Sequence, residues 1–314
     1  MPKIAVITPT YNRGDNGLLL KAMRSVSGQT YTDFVHLVVD HGSTDSTERV
    51  VGKYMAQDPR VFYDKIERDP NYDKGSVVGC NYGINMVLRD DRFSDVEAMC
   101  YLHDDDMLPQ NSLWLRHDTM FRNGNDKRLV YGFLGVCNND MRLSGVVKGP
   151  AYRDPLDIAR ELVRRQREQF PNHTVFLRRD LLKELGGFDE NLFWSDDRDM
   201  SVRALEAAGK GHVSQVSDIV YYFRVHAKSA GALNPYRMKS DQKYFGHKHG
   251  RTSADNFVEN IGRFVTRPQS FLPEGVKNFL RPIRMAITSG INKATGIELD
   301  PYIEEIEKSV QVHV

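Results

Sequence analysis

The sequence predicts an α/β fold in which a mostly parallel sheet is flanked by helices and followed by a helical C-terminal extension. Apolar runs of strand length alternate with segments of helical periodicity from residue 3 to about residue 120. The runs have no polar face, which is typical of strands covered on both sides. Parallel neighbours of this kind need crossover connections, and the helical segments supply them.

Four strand and helix pairs open the chain. The strands are KIAVITPT, VHLVVDHG, VFYDKI and VEAMCYLHDDD, and the helices after them are GLLLKAMRSV, STERVVGKYM, SVVGCNYGINMVL and SLWLRHDTMF. After residue 130, LVYGFLGVC and RLSGVVKG indicate strands, followed by a basic helix from about Leu156 to Phe170 and the late strand HVSQVSDIVYYFRVH. Beyond Pro235 prolines break the pattern. We therefore predict one domain over residues 1–235 and a helical extension over 236–314.

Composition excludes several classes of protein. With 40% hydrophobic and 27% charged residues, the 314-residue chain is too apolar to be disordered. No run approaches the roughly 18 to 20 apolar residues that cross a bilayer, and no signal peptide is recognisable, so we expect a cytoplasmic protein. The three cysteines lack zinc-site spacing and are predicted to be buried: Cys80, Cys100 and Cys137.

The net charge of +1 argues against an overall polyanion-binding protein. The segment from Arg237 to Lys293 nevertheless carries 11 Lys or Arg against 4 Asp or Glu. Residues 276–291 mix apolar and basic positions, as a helix on a membrane surface does, but Pro282 interrupts them. Docking on the domain or a homodimer contact explains the same pattern. We rank these first and a peripheral membrane contact second.

Three adjacent carboxylates, Asp104, Asp105 and Asp106, follow the strand VEAMCYL. They repel one another, and a cation or solvent must separate them. Strand alternation would point Asp104 and Asp106 the same way, so that they share one Mg²⁺ or Mn²⁺ whose coordination a diphosphate completes. A solvated acidic turn is the alternative, and the run alone does not decide between the two.

Polar residues also end the first two strands. Asp40 ends VHLVV, where a carboxylate can accept from a nucleobase N–H, and the following Gly42 lets backbone approach a ligand. Ordinary loop capping is the alternative. At the end of the first strand, the residues that would flank the same base are Pro9, Thr10, Tyr11, Asn12 and Arg13. For Tyr11 a core position is equally open.

A third acidic group opens a predicted helix directly after Trp194 and comprises Asp196, Asp197 and Asp199. The helix dipole favours acidic residues in a first turn by a few tenths to about 1 kcal/mol each, which is a purely structural account. Alternatively, apolar walls raise the pKa of one carboxylate, as a general base requires.

These groups, in this order, resemble glycosyltransferase family 2 and its GT-A fold. The matching segments are VITPTYNR, VVDHGSTDST, CYLHDDDMLP, ELGGFDENLFWSDDRDMSVR and YYFRVHAKS, over about residues 3 to 230. The resemblance implies a GT-A sheet with a Rossmann-like nucleotide-binding half as the catalytic domain. It implies inverting transfer of a sugar from a nucleotide-diphosphate donor, preferably a UDP-sugar, with Mn²⁺ or Mg²⁺ on the diphosphate.

Residue by residue, the resemblance implies three kinds of site. Asp197 corresponds to the catalytic base. The metal ligands are Asp104, Asp106 and His226. The nucleotide contacts are Pro9, Thr10, Tyr11, Arg13, Asp40, Lys74, Asp104 and Asp105, with Arg68 as the alternative to Lys74 for a phosphate contact.

Three positions depart from the family's pattern. His41 stands where a second carboxylate is common, and His103 stands where an aspartate often begins the metal motif. Histidine can still donate a hydrogen bond or bind a metal, so the ligand set is open. Asp196 replaces the usual glutamate and is shorter by one methylene.

Other activities compete with this interpretation. A retaining transferase on the same fold would differ in the anomeric configuration of its product. A sugar nucleotidyltransferase also uses paired carboxylates, but PTYNRGDN has one glycine where a glycine-rich loop is expected. A non-catalytic sugar-nucleotide-binding module has no need for Asp197 beside Trp194.

The acceptor is left open as a glycan, a lipid-linked molecule, a protein or a nucleic acid. Arg160, Arg164 and Arg167 share one face of the basic helix, which either binds an anionic acceptor or is a solvated surface. Tyr221, Tyr222 and Trp114 are predicted to be core aromatics rather than a sugar platform.

Overall fold

The computed structural model describes residues 3–68, 76–122, 126–150, 154–165, 170–193, 195–225 and 235–250. The chain divides into two compact units, Met1–Phe245 and Gly246–Val314, and the second is described only over residues 246–250. The division into residues 1–235 and 236–314, and the membrane and homodimer contacts of the extension, therefore stay predictions. No helix among the described residues is long and apolar enough to cross a membrane.

One sheet of eight strands lies at the centre of the first unit, as far as the structure describes it. The strands are β1 (Lys3–Thr10), β2 (Phe34–Asp40), β3 (Val61–Lys65), β4 (Val96–Tyr101), β5 (Leu129–Cys137), β6 (Leu143–Val147), β7 (Phe176–Arg178) and β8 (Val213–Arg224). Their order is β3-β2-β1-β4-β7-β5-β6, with β8 paired to β5. The pairs β1–β2, β1–β4, β2–β3 and β5–β8 are parallel, whereas β7 is antiparallel to β4 and β5, and β6 to β5. The predicted α/β class with a mostly parallel sheet is confirmed.

Eight α-helices accompany the sheet in the described part of the chain. They are α1 (Leu18–Ser27), α2 (Thr47–Met55), α3 (Val77–Arg89), α4 (Ser112–Phe121), α5 (Pro155–Arg165), α6 (Arg179–Leu185), α7 (Asp196–Ala208) and α8 (Pro235–Lys248). On the basic helix α5, Arg160 and Arg164 are exposed, and Arg160 donates to Asp157 at 2.9 Å. Arg167 lies outside the described residues, so the proposed three-arginine face stays a prediction.

The central strand β1 is buried on both faces. Ala5 and Ile7 belong to one buried apolar cluster and Ile4 and Val6 to another, as the alternation of side chains across a sheet requires. Helix α3 packs closely against this strand, because a Cβ on Gly83 would approach Ile7 Cγ2 to 2.6 Å.

The beginning of α3 lies near the carboxyl end of β1. A Cβ on Gly79 would approach Pro9 Cβ to 2.9 Å, and Pro9 is the second-last residue of the strand. Side chains early in α3 are thereby placed beside the polar edge of the sheet.

The predictions for buried residues are mostly confirmed. Tyr221 is fully buried, and all three cysteines are free and buried: Cys80, Cys100 and Cys137. The prediction for Trp114 is wrong, since it is 44% exposed. Leu113 and Met120 take the buried face of α4, and Trp114 lies to one side of it.

His36 is a titratable residue in the interior of β2. It is fully buried, its Nε2 lies 2.9 Å from Thr8 Oγ1, and burial lowers its pKa to about 3. The folded state keeps His36 neutral, whereas the unfolded state takes up a proton near its ordinary pKa. We therefore expect His36 alone to lower the free energy of unfolding as the pH drops below about 6.5, by about 2 kcal/mol at pH 5. Urea denaturation of the wild-type protein and of a His36 variant at pH 7 and pH 5 measures this contribution.

The variant His36→Gln keeps a polar partner for Thr8 and does not titrate. It should lose less stability between the two pH values than the wild-type protein. His247→Gln, at an exposed position on α8, is the matched control. Equal losses in wild-type and His36→Gln protein would contradict the prediction.

Candidate active site

The turn after β4 meets the ends of β1 and β8 at one edge of the sheet. Met107, just beyond the acidic run, pairs with Tyr222 of β8 through two backbone hydrogen bonds, of 3.2 and 2.9 Å. On the other side, Leu102 N donates to Ile7 O of β1 at 2.9 Å. Ligands of α/β sheets bind at this carboxyl edge.

Asp106 joins the acidic turn to β8. It is 1% exposed, its Oδ1 accepts from the backbone N–H of Arg224 (2.7 Å), and its Oδ2 accepts from the Tyr221 hydroxyl (2.8 Å). The Arg224 Nε donates in turn to the backbone carbonyl of Asp105 (2.8 Å). Burial, followed by the charge of Asp105, raises the pKa of Asp106 well above its usual range. Both oxygens of Asp106 therefore have partners within the protein.

Asp104 and Asp105 face the end of β1 instead. Asp104 Oδ1 accepts from Arg13 Nε (3.1 Å), and Asp105 Oδ2 accepts from Arg13 Nη2 (3.4 Å). Burial raises the pKa of Asp104 to about 6, and the charge of Arg13 acts in the opposite direction. The expected common direction of Asp104 and Asp106 is not found. The physical reason is that β4 ends at Tyr101, so strand alternation does not extend into the turn.

Asp197 lies in the first turn of α7 and contacts a histidine. Its Oδ2 is 3.8 Å from Nδ1 of His173, and its side chain is 14% exposed. Burial raises the pKa of Asp197, and the charge of Arg198 opposes the rise. A carboxylate with a raised pKa is suited to take a proton near neutral pH.

Aromatic rings connect Asp197 to the acidic turn. The His173 ring centroid is 5.3 Å from that of His103, 5.6 Å from that of Tyr221 and 5.0 Å from that of Phe223. His103 directly precedes Asp104, and burial, followed by the charge of His173, lowers its pKa to about 4. The imidazole rings of His103 and His173 therefore lie between the acidic turn and Asp197.

Asn81 of α3 fixes the loop between α6 and α7. Its Oδ1 accepts from the backbone N–H of Phe188 (2.8 Å), and its Nδ2 donates to the Phe188 carbonyl (3.0 Å). Gly187 has φ +105°, and a Cβ there would approach Asn81 Oδ1 to 2.6 Å. Phe188 then packs edge-on against Tyr101 of β4, with centroids 5.5 Å apart. Contact with Asn81 therefore accounts for Gly187 and Phe188 of the Gly-Gly-Phe motif, whereas Gly186 ends α6 in a left-handed conformation with φ +72°.

At the end of β1, Tyr11 is 40% exposed, which excludes the core alternative. The Arg68 guanidinium carbon lies 3.7 Å from its ring centroid, a cation–π geometry. Pro9 and Thr10 are the last residues of β1, and the Thr10 carbonyl accepts from His41 N at 2.9 Å.

Asp40 supports a turn. It is fully buried, its Oδ1 accepts from Ser43 N (2.8 Å), and its Oδ2 accepts from the Tyr63 hydroxyl (2.7 Å). This geometry corresponds to the capping alternative and does not favour the predicted direct contact between Asp40 and a nucleobase.

The structure adds residues that sequence reasoning missed, and it leaves some predicted ones open. Lys74, His226 and Trp194 lie outside the described residues. The missed contributors are His173, Asn81, Tyr221 as a hydrogen-bond donor to Asp106, and Arg224. A polar His173 next to the apolar run TVFL was the one available signal, since the others depend on contacts between residues distant in the chain.

The residues of the acidic turn fit a divalent cation in their chemistry. Mg²⁺ and Mn²⁺ prefer oxygen ligands, and in phosphate-transfer sites Mg²⁺ commonly takes one or two carboxylates together with substrate phosphates. Asp104 and Asp105 offer two such carboxylates beside one arginine. Among the described residues, no group of three His, Cys, Asp or Glu side chains is arranged to hold a metal ion unaided. Further ligands would therefore come from the substrate, from water or from residues outside the described ranges, such as His226.

Comparison with known proteins identifies related sequences. The family model "Glycosyl transferase family 2" matches residues 5–186. An uncharacterized protein of Sinorhizobium fredii is 25% identical over 267 residues, which cover 83% of this chain and 27% of that protein. A Campylobacter jejuni GalNAc(5)-diNAcBac-PP-undecaprenol beta-1,3-glucosyltransferase is 34% identical over 113 residues, covering 36% of this chain and 33% of the relative. The chain thus spans about a quarter to a third of the length of these two relatives.

Solved structures share the fold. Staphylococcus aureus TarS 1-349 in complex with UDP-GlcNAc has a TM-score of 0.54 at 19% identity, covering 97% of this chain and 79% of that one. The mannosyltransferase PcManGT of Pyrobaculum calidifontis, in complex with GDP-Man and Mn²⁺, has a TM-score of 0.52 at 16% identity, covering 97% and 85%. At these identities the likeness establishes the fold alone.

The hydrogen bonds of Asp106 predict a structural role for it. Asp106→Ala leaves the Tyr221 hydroxyl and the Arg224 N–H buried without their partner, so we expect the free energy of unfolding to fall by about 2 to 4 kcal/mol. Asp106→Asn can keep both contacts and should lose less. Asp105→Ala, at a more exposed position, is the matched control. Urea denaturation measures all three, and wild-type stability in Asp106→Ala would contradict the structural role.

Proposed function

Because the chain belongs to glycosyl transferase family 2 and has the GT-A fold, we propose that it transfers a sugar from a nucleotide-diphosphate donor to a hydroxyl group. One observation carries the proposal. The acidic turn and Asp197 lie at the same sheet edge, connected by the neighbouring rings of His103 and His173. Inverting, metal-dependent glycosyl transfer uses these two groups at once, one that would hold the cation bound to the diphosphate and one that takes the acceptor's proton.

The donor end of the site is formed by the residues after β1 and β4. Arg13 brings a positive charge beside Asp104 and Asp105, and the exposed Tyr11 ring, with Arg68 on its face, offers a stacking surface for a base. The preferred donor is a UDP-sugar, which agrees with the UDP-GlcNAc bound by TarS. The GDP-Man bound by PcManGT makes a guanosine donor the alternative to be tested.

Mn²⁺ or Mg²⁺ is the proposed cofactor, held by Asp104 and Asp105. When bound, it would supply Lewis-acid stabilisation of the negative charge on the leaving diphosphate. The earlier assignment of Asp106 is less favoured, because its two oxygens accept from Tyr221 and Arg224.

Asp197 is the proposed base of an inverting reaction. The acceptor hydroxyl gives its proton to Asp197 as its oxygen attacks the anomeric carbon, and the bond from that carbon to the diphosphate oxygen breaks on the opposite face. Burial keeps the pKa of Asp197 raised, which makes it a better proton acceptor than an ordinary aspartate. His173 Nδ1 lies 3.8 Å from Asp197 Oδ2, which is beyond hydrogen-bond distance, and a protonated His173 would act on the carboxylate through its charge.

For the acceptor we propose only the chemical classes that could supply the hydroxyl group. A glycan, a lipid-linked molecule, a protein and a nucleic acid all carry suitable hydroxyls. The name of the Campylobacter relative indicates a glycan on undecaprenyl diphosphate as that enzyme's acceptor, which makes lipid-linked glycans the first class to test here.

The donor proposal predicts a pattern of ligand stabilisation. We expect UDP and UDP-sugars to raise the melting temperature with Mn²⁺ present, and to raise it less without the metal, since only a ligand of the folded state stabilises it. Thermal shift against a panel of nucleoside diphosphates and their sugars measures this.

The products formed from the best donor then separate the reaction types. Release of a nucleoside diphosphate indicates a glycosyltransferase, whereas formation or consumption of pyrophosphate indicates a nucleotidyltransferase. The anomeric configuration, by NMR, separates inverting from retaining transfer.

The base assignment predicts a selective loss of turnover. Asp197→Asn should bind the donor as the wild-type protein does and release nucleoside diphosphate about 10² to 10⁴ times more slowly, the usual span for a lost general base. In the wild-type protein the rate should fall as the pH drops through the raised pKa of Asp197, since the protonated form cannot accept a proton. Asp218→Asn, at an exposed position of β8, is the matched control. Wild-type turnover in Asp197→Asn would remove Asp197 from this role.

A further inference from the structure

A buried carboxylate on α8 holds the turn that leads into α7. Asp241 is 6% exposed, and its Oδ2 accepts from the backbone N–H of Phe193 (2.6 Å) and from that of Ser195 (3.3 Å). Ser195 directly precedes Asp196 and Asp197. One carboxylate oxygen therefore fixes the backbone where the chain enters the helix that carries the proposed base.

Two neighbours on the same face of α8 contact the same region. The Tyr244 hydroxyl donates to Asp189 Oδ2 at 3.3 Å. Phe245 is fully buried, and the Arg198 guanidinium carbon lies 5.8 Å from its ring centroid. Residues three and four positions apart lie on one helix face, so α8 packs along the segment 189–198 with hydrogen bonds and a buried ring.

Elements other than α8 also hold this segment. Asn81 holds Phe188 through two backbone hydrogen bonds, and His173 lies 3.8 Å from Asp197 itself. The chain between Phe188 and Asp197 is therefore anchored at its start by α3 and near its end by α8. Loss of either anchor frees the backbone that sets the position of Asp197.

We propose that Asp241 is a positioning residue for Asp197, and that α8 supports the active site by holding the backbone that leads into α7. Helix α8 lies beyond the residues 5–186 that match the family model, and within the region that the sequence assigned to an extension. The kinetic consequence rests on the proposed function, whereas the positioning itself does not.

Hydrogen exchange tests the positioning without any substrate. In the full-length protein, Asp241→Ala should speed amide exchange at Phe193 and Ser195 about ten-fold or more, because both N–H groups lose their acceptor. Asp241→Asn keeps an oxygen that accepts both and should stay within about three-fold of the wild-type rates. Lys243→Ala, at an exposed position of the same helix, is the matched control. Wild-type exchange in Asp241→Ala would overturn the proposal.

Kinetics test the link to Asp197. With the best donor of the thermal-shift panel, Asp241→Ala should lower kcat for nucleoside diphosphate release about ten-fold or more and leave KM for the donor within about two-fold, since small displacements of a reacting group cost large factors in rate. Asp241→Asn should recover most of the rate. An Asn variant as slow as the Ala variant, or a rise in KM equal to the fall in kcat, would overturn the link.

If Asp241→Ala does not fold, Asp241→Glu, which moves the carboxylate by one methylene, takes its place in both experiments with the same expected directions. If the wild-type protein releases no nucleoside diphosphate from any donor, the proposed function fails, and the exchange experiment still decides whether Asp241 holds the turn.

Discussion

The acidic turn after β4 is fixed by carboxylate hydrogen bonds to the ends of two other strands, and the geometry of the site depends on them. Asp106 binds the hydroxyl of Tyr221 and the backbone of Arg224 on β8, while Asp104 binds Arg13 just beyond β1. Since β1 and β8 belong to different parts of the sheet, these contacts set the position of the turn relative to both. The same Tyr221 ring lies beside His173 and thus beside Asp197.

This arrangement has an electrostatic cost that a ligand would offset. A folded-state pKa of about 6 for Asp104, against 3.8 for the ordinary group, means that the folded protein binds this proton more tightly than the unfolded chain. The contribution of Asp104 to stability therefore declines as the pH rises from about 3.8 to about 6, and this contribution amounts to a loss of about 3 kcal/mol at neutral pH. A divalent cation or other positive ligand at the turn would recover part of it. Any ligand that binds the folded state and not the unfolded chain would raise the stability in the same way.

The fold, and the gathering of the candidate residues at one edge of the sheet, were predictable from sequence because both depend on local patterns. Apolar runs identify the strands, and the polar residues that follow them mark the carboxyl edge. The direction of each side chain at that edge was not predictable. The side chains of Asp104 and Asp106 contact different strands because β4 ends before them. The Asp40 carboxylate accepts a hydrogen bond from Tyr63, which lies on another strand. Such contacts are set by tertiary packing, which no spacing along the chain records.

The position of Asp197 illustrates this limit most clearly. Its helix and its acidic character are visible in the sequence, but its placement depends on Asn81, more than a hundred residues before it, and on Asp241, which follows it on α8. A proposed base with a raised pKa needs both burial, which raises the pKa of Asp197, and a fixed position relative to its substrate. Asn81 before this segment and Asp241 after it each hold its backbone through two hydrogen bonds. The candidate active site therefore draws on elements from α3 to α8, although the proposed chemistry is concentrated in a few carboxylates.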